Sequence, residues 1–85
     1  MYWIYVLENQ GDESWYIGYT SDLDKRLNEH QLGYGSKTTR RKENWELIYC
    51  EGYTEMADAK GRERFLKSGS GRRFLKKQLS NYLNL

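Results

Sequence analysis

Residues 2–8 read Tyr2-Trp3-Ile4-Tyr5-Val6-Leu7-Glu8, and residues 15–19 read Trp15-Tyr16-Ile17-Gly18-Tyr19. The first run is β-branched and aromatic with no polar alternation, the pattern of a strand covered on both faces. Residues 9–14 are polar and contain Gly11, so they read as a hairpin loop. The second aromatic run is then the antiparallel partner of the first.

The rest of the chain follows outward from this hairpin. Ser21 can cap a helix starting at Asp22, with Asp24 at the third position and two acids in the first turn. Leu23 and Leu27 lie one turn apart and face the core, and Gly33 is a natural stop. Residues 34–44 mix Gly, Ser and Thr with four basic residues and read as a loop. Trp45–Glu51 is a third strand. Thr54 can cap a second helix running to about Lys67 and closed by Gly69. A third helix, from about Gly71 to Leu83, places Leu75, Leu79 and Tyr82 on one stripe, with Arg73, Lys76 and Lys77 opposite. The predicted order is β-β-α-β-α-α, a mixed α/β fold of the α+β kind.

Eighty-five residues make one small domain, and residues 1–85 are read as a single unit. The mean hydropathy of −1.00 suggests disorder, but eight Tyr, three Trp and two Phe argue for an aromatic-rich core. No apolar run approaches the ~18 residues of a membrane span. Glu8 interrupts the first apolar stretch, so no signal segment is expected. Cys50 is the only cysteine, which fits a reducing compartment and a cytoplasmic location. One Cys and one His cannot supply a structural zinc site, so any metal must be held mostly by oxygen.

Charge is unevenly placed. Residues 1–36 carry two basic residues against six acidic ones, net −4, whereas residues 37–85 carry twelve against six, net +6. No acid follows Glu63. A basic half on a near-neutral chain points to a polyanion such as nucleic acid, or to a solvated helix face. The candidate phosphate contacts are Lys37, Arg40, Arg41 and Lys42 in the loop and Arg73, Lys76 and Lys77 on the third helix.

Three constellations carry chemistry. Glu63 falls on the inward stripe of the second helix marked by Met56, Ala59 and Leu66, where a carboxylate is costly unless paired. It is a salt-bridge partner of a neighbouring arginine, an edge residue, or a metal ligand or acid/base group. Arg26 and His30 are four apart and share one face of the first helix, either exposed or paired as a phosphate fork and a proton carrier. Tyr5 and Tyr16 sit on the two strands of the hairpin.

Taken in order, Trp3-Ile4-Tyr5, Tyr16-Ile17-Gly18, Arg26, His30 and Glu63 resemble the GIY-YIG nuclease superfamily, and the resemblance covers nearly the whole chain. The chain looks most like the small stand-alone bacterial members, related to the N-terminal nuclease domain of the excision-repair incision subunit. The resemblance implies a three-stranded antiparallel sheet flanked by helices. It also implies Tyr5 as general base, Tyr16 as the group orienting water or phosphate, and Arg26 on the scissile phosphate. His30 would assist proton transfer or hold a phenol in place, and Glu63 would hold one divalent ion, Mg²⁺ or Mn²⁺. Three positions depart from the family pattern. Trp3 stands where the family name has Gly, Leu75 where many members place an Asn, and Tyr19-Thr20 where some carry a basic residue.

The expected function is metal-dependent endonucleolytic hydrolysis of DNA, in repair or recombination, with selection supplied by the loops or by a targeting protein partner. The alternatives are a catalytically inactive nucleic-acid-binding module and a protein-interaction domain on the same scaffold.

Overall fold

Central in a three-stranded antiparallel sheet ordered β2-β1-β3 is β1 (Tyr2–Asn9), flanked by β2 (Trp15–Thr20) and β3 (Trp45–Tyr53). The computed structural model describes residues 1–31 and 44–85. The Gly33 stop, most of the expected 34–44 loop, and Lys37, Arg40, Arg41 and Lys42 lie outside the described residues. The helices are α1 (Leu23–Gln31), α2 (Met56–Leu66), α3 (Gly69–Gln78) and the single turn α4 (Ser80–Leu83). The predicted order β-β-α-β-α-α holds, with the last helix divided in two.

β1 is buried on both faces because helices cover both. Ile4 and Val6 pack with Ile17 of β2, with Ala59 and Leu66 of α2, and with Leu75 of α3. Tyr5 and Leu7, of opposite parity, pack with Trp45, Tyr16 and the α1 residues Leu23 and Leu27. Each fully buried aliphatic side chain of β1 contributes about 1.5–3 kcal/mol. The unbroken apolar run of β1 is thus the signature of a strand with α1 on one side and α2 and α3 on the other.

The hairpin turn closes through Asn9, whose Oδ1 accepts from the amides of Gly11 (2.9 Å) and Asp12 (3.1 Å). Pairing then brings Tyr5 opposite Gly18 and Leu7 opposite Tyr16, so Tyr5, Tyr16 and Gly18 share the α1 face. Trp15, Ile17 and Tyr19 share the other.

Several helix ends differ from expectation. Asp22, not Ser21, caps α1: its Oδ1 accepts from Lys25 N at 3.1 Å, while Thr20 Oγ1 takes the amide of Asp22 at 3.1 Å. The hydroxyl before the cap therefore sits two residues earlier and shapes the entry turn. Glu55 rather than Thr54 stands at the α2 N-cap, without a side-chain cap bond, and the strand before it runs on to Tyr53.

Gly69 does not close α2 but opens α3, which Ser68 caps by accepting from Gly71 N at 3.1 Å. Gly71 is needed where α3 crosses the end of α2, because a Cβ there would lie 1.9 Å from the Phe65 carbonyl. The third helix breaks at Leu79 (φ −102°, ψ 25°). That break turns Tyr82 off the Leu75 stripe, and it is 49% exposed. Met56, at the first position of α2 and one turn before its first buried residue, is 45% exposed rather than inward. Arg73, Lys76 and Lys77 are exposed and Leu75 is fully buried, as the stripe predicts.

Candidate active site

On the α1 face of the hairpin three polar side chains, Tyr16, Arg26 and His30, surround the buried hydroxyl of a fourth, Tyr5. Tyr5 is 1% exposed, and its ring lies directly over Gly18. A Cβ at Gly18 would come 2.4 Å from the Tyr5 Oη and Cζ and 3.0 Å from Tyr16 Cε1. Glycine within a strand marks such a close approach. The hairpin register and this missing side chain together set the height of the Tyr5 hydroxyl above the sheet.

α1 brings the partners. Arg26 and His30, one turn apart, both reach Tyr5: Arg26 Nε donates to Oη at 3.4 Å, and Oη lies 3.0 Å from His30 Nε2. The rings of Tyr5, Tyr16 and His30 form a triangle with centroid separations of 6.2, 5.7 and 5.5 Å. Arg26 also pairs with Glu29 at 3.4 Å, one turn along α1. The i, i+3 spacing of that pair and the glycine within a strand are the sequence signals of this support, and neither points to Tyr5 without the fold.

The electrostatics of the cluster have definite directions. Burial pushes the Tyr5 phenol up to about 12; the Arg26 hydrogen bond opposes this and Tyr16 adds to it. Burial, with the charge of Arg26, holds His30 below the usual 6.5, while Glu29 pulls the other way. At neutral pH the phenol is therefore protonated and the imidazole neutral. With Arg26 Nε donating to it, Oη can donate its own proton to Nε2 of the Nδ1-protonated tautomer. His30 is 6% exposed, so it is not the solvated histidine that an isolated i, i+4 pair allows.

Glu63 arrives from α2, which packs on the other sheet face, and the contacts that join the other four residues do not include it. It shares the side of α2 that carries Ala59 and Leu66, at the rim, and its Oε2 accepts from Lys67 Nζ at 3.1 Å. The partner is thus a lysine one turn on, not a neighbouring arginine. Among the described residues no group of three or more His, Cys, Asp or Glu is placed to hold a metal ion. A single rim carboxylate suits a hard divalent ion that takes its remaining oxygens from substrate and water. On those terms Glu63 is the carboxylate that would hold Mg²⁺ or Mn²⁺, in exchange for its Lys67 partner.

Leu75 is 0% exposed and lies in the core with Ile4, Val6 and Leu66. The position where the family resemblance implies an Asn is here part of the packing between α3 and the sheet. Among the described residues no helix is long and apolar enough to cross a membrane.

Comparison with known proteins agrees with this geometry. Residues 1–78 match the GIY-YIG catalytic domain. A UPF0213 protein of Streptococcus pneumoniae is 43% identical over 65 residues, covering 76% of this chain and 65% of that protein. A UPF0213 protein of Haloquadratum walsbyi is 37% identical over 67 residues, covering 79% of this chain and 74% of that protein. The matched part thus spans just under two thirds of the streptococcal relative. The solution NMR structure of the UPF0213 protein BH0048 from Bacillus halodurans is similar with a TM-score of 0.57 at 32% identity, covering 92% of this chain and 85% of that one. A hairpin that lays a tyrosine over a glycine, a helix that brings Arg and His to its hydroxyl, and a family match over nearly the whole length agree: the chain belongs to the GIY-YIG catalytic domain family, a family of nuclease domains.

Proposed function

We propose that this chain is a metal-dependent endonuclease that hydrolyses DNA phosphodiester bonds. The observation that carries the reading is the buried Tyr5 hydroxyl held between Arg26 Nε and His30 Nε2. Hydrolysis requires an activated water, neutralisation of the phosphoryl oxygens and help for the leaving oxygen. The cluster supplies the first two from this chain.

Tyr5 takes a proton from the attacking water at Oη while its own proton passes to His30 Nε2. The water oxygen bonds to phosphorus, and the bond from phosphorus to the leaving oxygen breaks. A phenol near 12 is too weak an acid to sit ionised beforehand, so the transfer is concerted with the approach to phosphate. The neutral imidazole is the acceptor this requires. Arg26, partly exposed, presents its remaining N–H groups to the phosphoryl oxygens and gains most as charge develops there. Tyr16, in ring contact with both Tyr5 and His30, orients the water or the phosphate. A divalent ion on Glu63 would supply Lewis acidity at the leaving oxygen.

DNA is the preferred substrate class, in repair or recombination within the cytoplasm, with selection expected from the loops or a targeting protein partner because no sequence motif for reading bases stands in the chain. Binding is then mainly to the backbone, through exposed cations such as Arg73, Lys76 and Lys77. A second reading, an inactive nucleic-acid-binding module, is favoured by Leu75 in the core and by the Glu63–Lys67 pair. Single-stranded, nicked, branched and duplex DNA incubated with Mg²⁺, Mn²⁺ or chelator separate the two. Chelator-sensitive cleavage that Glu63→Ala abolishes, with DNA affinity retained, supports the nuclease. Binding without cleavage of any substrate supports the module.

A further inference from the structure

Around the β2 edge from the Tyr5 cluster lies an open cavity of about 430 Å³ lined by Glu8, Glu13, Trp15, Arg72, Lys76, Leu83 and Leu85. Trp15 and Tyr16 are consecutive on an edge strand, so their side chains leave opposite faces of the sheet. The cavity and the candidate active site therefore lie on opposite faces of the sheet, their lining residues Trp15 and Tyr16 adjacent along β2.

Its walls are built rather than incidental. Glu8 is only 8% exposed, and both its oxygens are engaged: Trp15 Nε1 donates to Oε2 at 2.9 Å and the Tyr82 hydroxyl to Oε1 at 2.5 Å. The carboxylate thereby fixes the indole and ties the start of β2 to α4. The Arg72 guanidinium lies over the Trp15 ring, 5.1 Å from its centroid, and Lys76 follows one turn along α3. Both are exposed cations on the cavity side of the helix. A planar guanidinium layered on an indole stacks on a nucleobase and bonds phosphate through its N–H edge. Leu83 adds an apolar wall for a base or sugar. The volume falls within the range of small-molecule sites and suits one nucleotide.

We infer that this cavity is a nucleotide subsite that holds one unpaired nucleotide of the substrate strand, its base against the Arg72–Trp15 layer and its phosphate on Arg72 and Lys76. A strand passing from the Tyr5 cluster to this cavity must round the β2 edge, which a paired duplex cannot do. The subsite selects DNA with an unpaired segment a few nucleotides from the cut. This inference rests on the nucleic-acid reading above and adds the structure of the substrate to it.

The test is binding in chelator, which removes metal-dependent cleavage as a variable. Fluorescence anisotropy compares a blunt duplex with the same duplex carrying an eight-nucleotide oligothymidylate overhang. The wild-type chain is expected to prefer the overhang by about tenfold, the scale of one stacked base. Arg72→Gln with Lys76→Gln should erase the preference while keeping blunt-duplex affinity close to that of the control pair. That control, Arg73→Gln with Lys77→Gln, removes the same charge from the same helix outside the cavity, and should lower both affinities alike and keep the preference.

The Trp15 indole N–H resonance, assigned by its loss in Trp15→Phe, should shift with the oligothymidylate. Saturation of the same shift by thymidine monophosphate at equal concentration would move the source from the strand to a free nucleotide. Equal behaviour of the two variant pairs, or no overhang preference in the wild type, overturns the subsite alone, since DNA binding and cleavage would stand. A chain that binds no DNA at all overturns the nucleic-acid reading and the subsite with it.

Discussion

Gly18→Ala is a one-carbon change with a large expected consequence. Its Cβ would lie 2.4 Å from both Cζ and Oη of Tyr5. Carbon contacts are comfortable from about 3.5 Å, so the phenol must retreat by about 1 Å. Tyr5 is 1% exposed with Leu7, Trp45, Tyr16, Leu23 and Leu27 packed around it, so the ring has no space to yield into. Overpacking of this kind costs about 1–3 kcal/mol of stability.

The effect on activity should be larger than that stability cost implies. Oη now stands 3.0 Å from His30 Nε2 and 3.4 Å from Arg26 Nε, and a displacement of about 1 Å takes it out of register with at least one of them. Misplacement by about 1 Å can cost about 10²-fold in rate. Thermal melting and single-turnover cleavage of the best substrate in the panel, both measured well below the melting temperature, separate the two effects. The reasoning is refuted if Gly18→Ala melts and cleaves as the wild type does, because the glycine would then not be setting the Tyr5 hydroxyl.

Other expectations follow from the same structure. Arg62 donates to Glu51 through Nε at 2.9 Å and through an Nη at 3.1 Å, and its guanidinium lies 5.0 Å and 4.5 Å from the ring centroids of Phe65 and Phe74. Arg62→Ala should therefore lower stability by about 2–3 kcal/mol in chemical denaturation, with no change in the Tyr5 cluster. Burial alone would raise Glu51, but hydrogen bonds from Arg62, Tyr49 and Tyr53 outweigh it and hold the carboxyl below its usual value. His30 is likewise held low by burial and Arg26. Below their unfolded pKa values, about 6.5 for His30 and 4.3 for Glu51, the unfolded chain binds more protons than the folded one, so stability falls as pH falls through the folded values. Denaturant midpoints should decline from about pH 6.5 downward, and His30→Gln should flatten the upper part of that decline; a flat profile in the wild type would count against a buried neutral imidazole. Neutralising Arg73, Lys76 and Lys77 together should leave stability within about 0.5 kcal/mol and lower the slope of log affinity against log salt by roughly 0.7–0.9 per lost phosphate contact. An unchanged slope there, with a reduced one on neutralising Arg40, Arg41 and Lys42, would assign the contacts to the loop.

The strands, and the sharing of one helix face by Arg26 and His30, were legible because they follow from periodicity; that Tyr5 and Tyr16 meet them was implied only by the family resemblance. The unbroken apolar run of β1 required cover on both faces, and four-residue spacing put Arg26 and His30 together. Helix ends were less legible because capping is decided by a few hydrogen bonds. Ser21 and Asp22 are both good caps by type, and in the fold Asp22 takes the amide of Lys25 while Thr20 Oγ1 takes that of Asp22.

The split of the last helix at Leu79 had no sequence marker, since neither Gly nor Pro stands there. It accompanies the hydrogen bond of Tyr82 to Glu8, a partner 74 residues away that no local pattern announces. Glu63 shows the limit of stripe reading. Spacing placed it correctly beside Ala59 and Leu66, but not the reach of its carboxylate out to Lys67. Glu8 was read only as a charge interrupting an apolar run, because the tertiary contacts that bury and satisfy it come from β2 and α4.

The central claim is that the Tyr5 hydroxyl, held by Arg26 and His30, performs metal-dependent cleavage of DNA. Tyr5→Phe tests it most directly, because the ring still fills the core and only the hydroxyl is lost. With Mg²⁺ present, the wild-type chain should cleave at least one substrate of the panel and stop in chelator. Tyr5→Phe should bind that substrate with similar affinity and cleave it about 10²–10⁴-fold more slowly, the usual contribution of a positioned proton-transfer group. Cleavage by Tyr5→Phe at the wild-type rate, or no chelator-sensitive cleavage by the wild type on any substrate, would contradict the account.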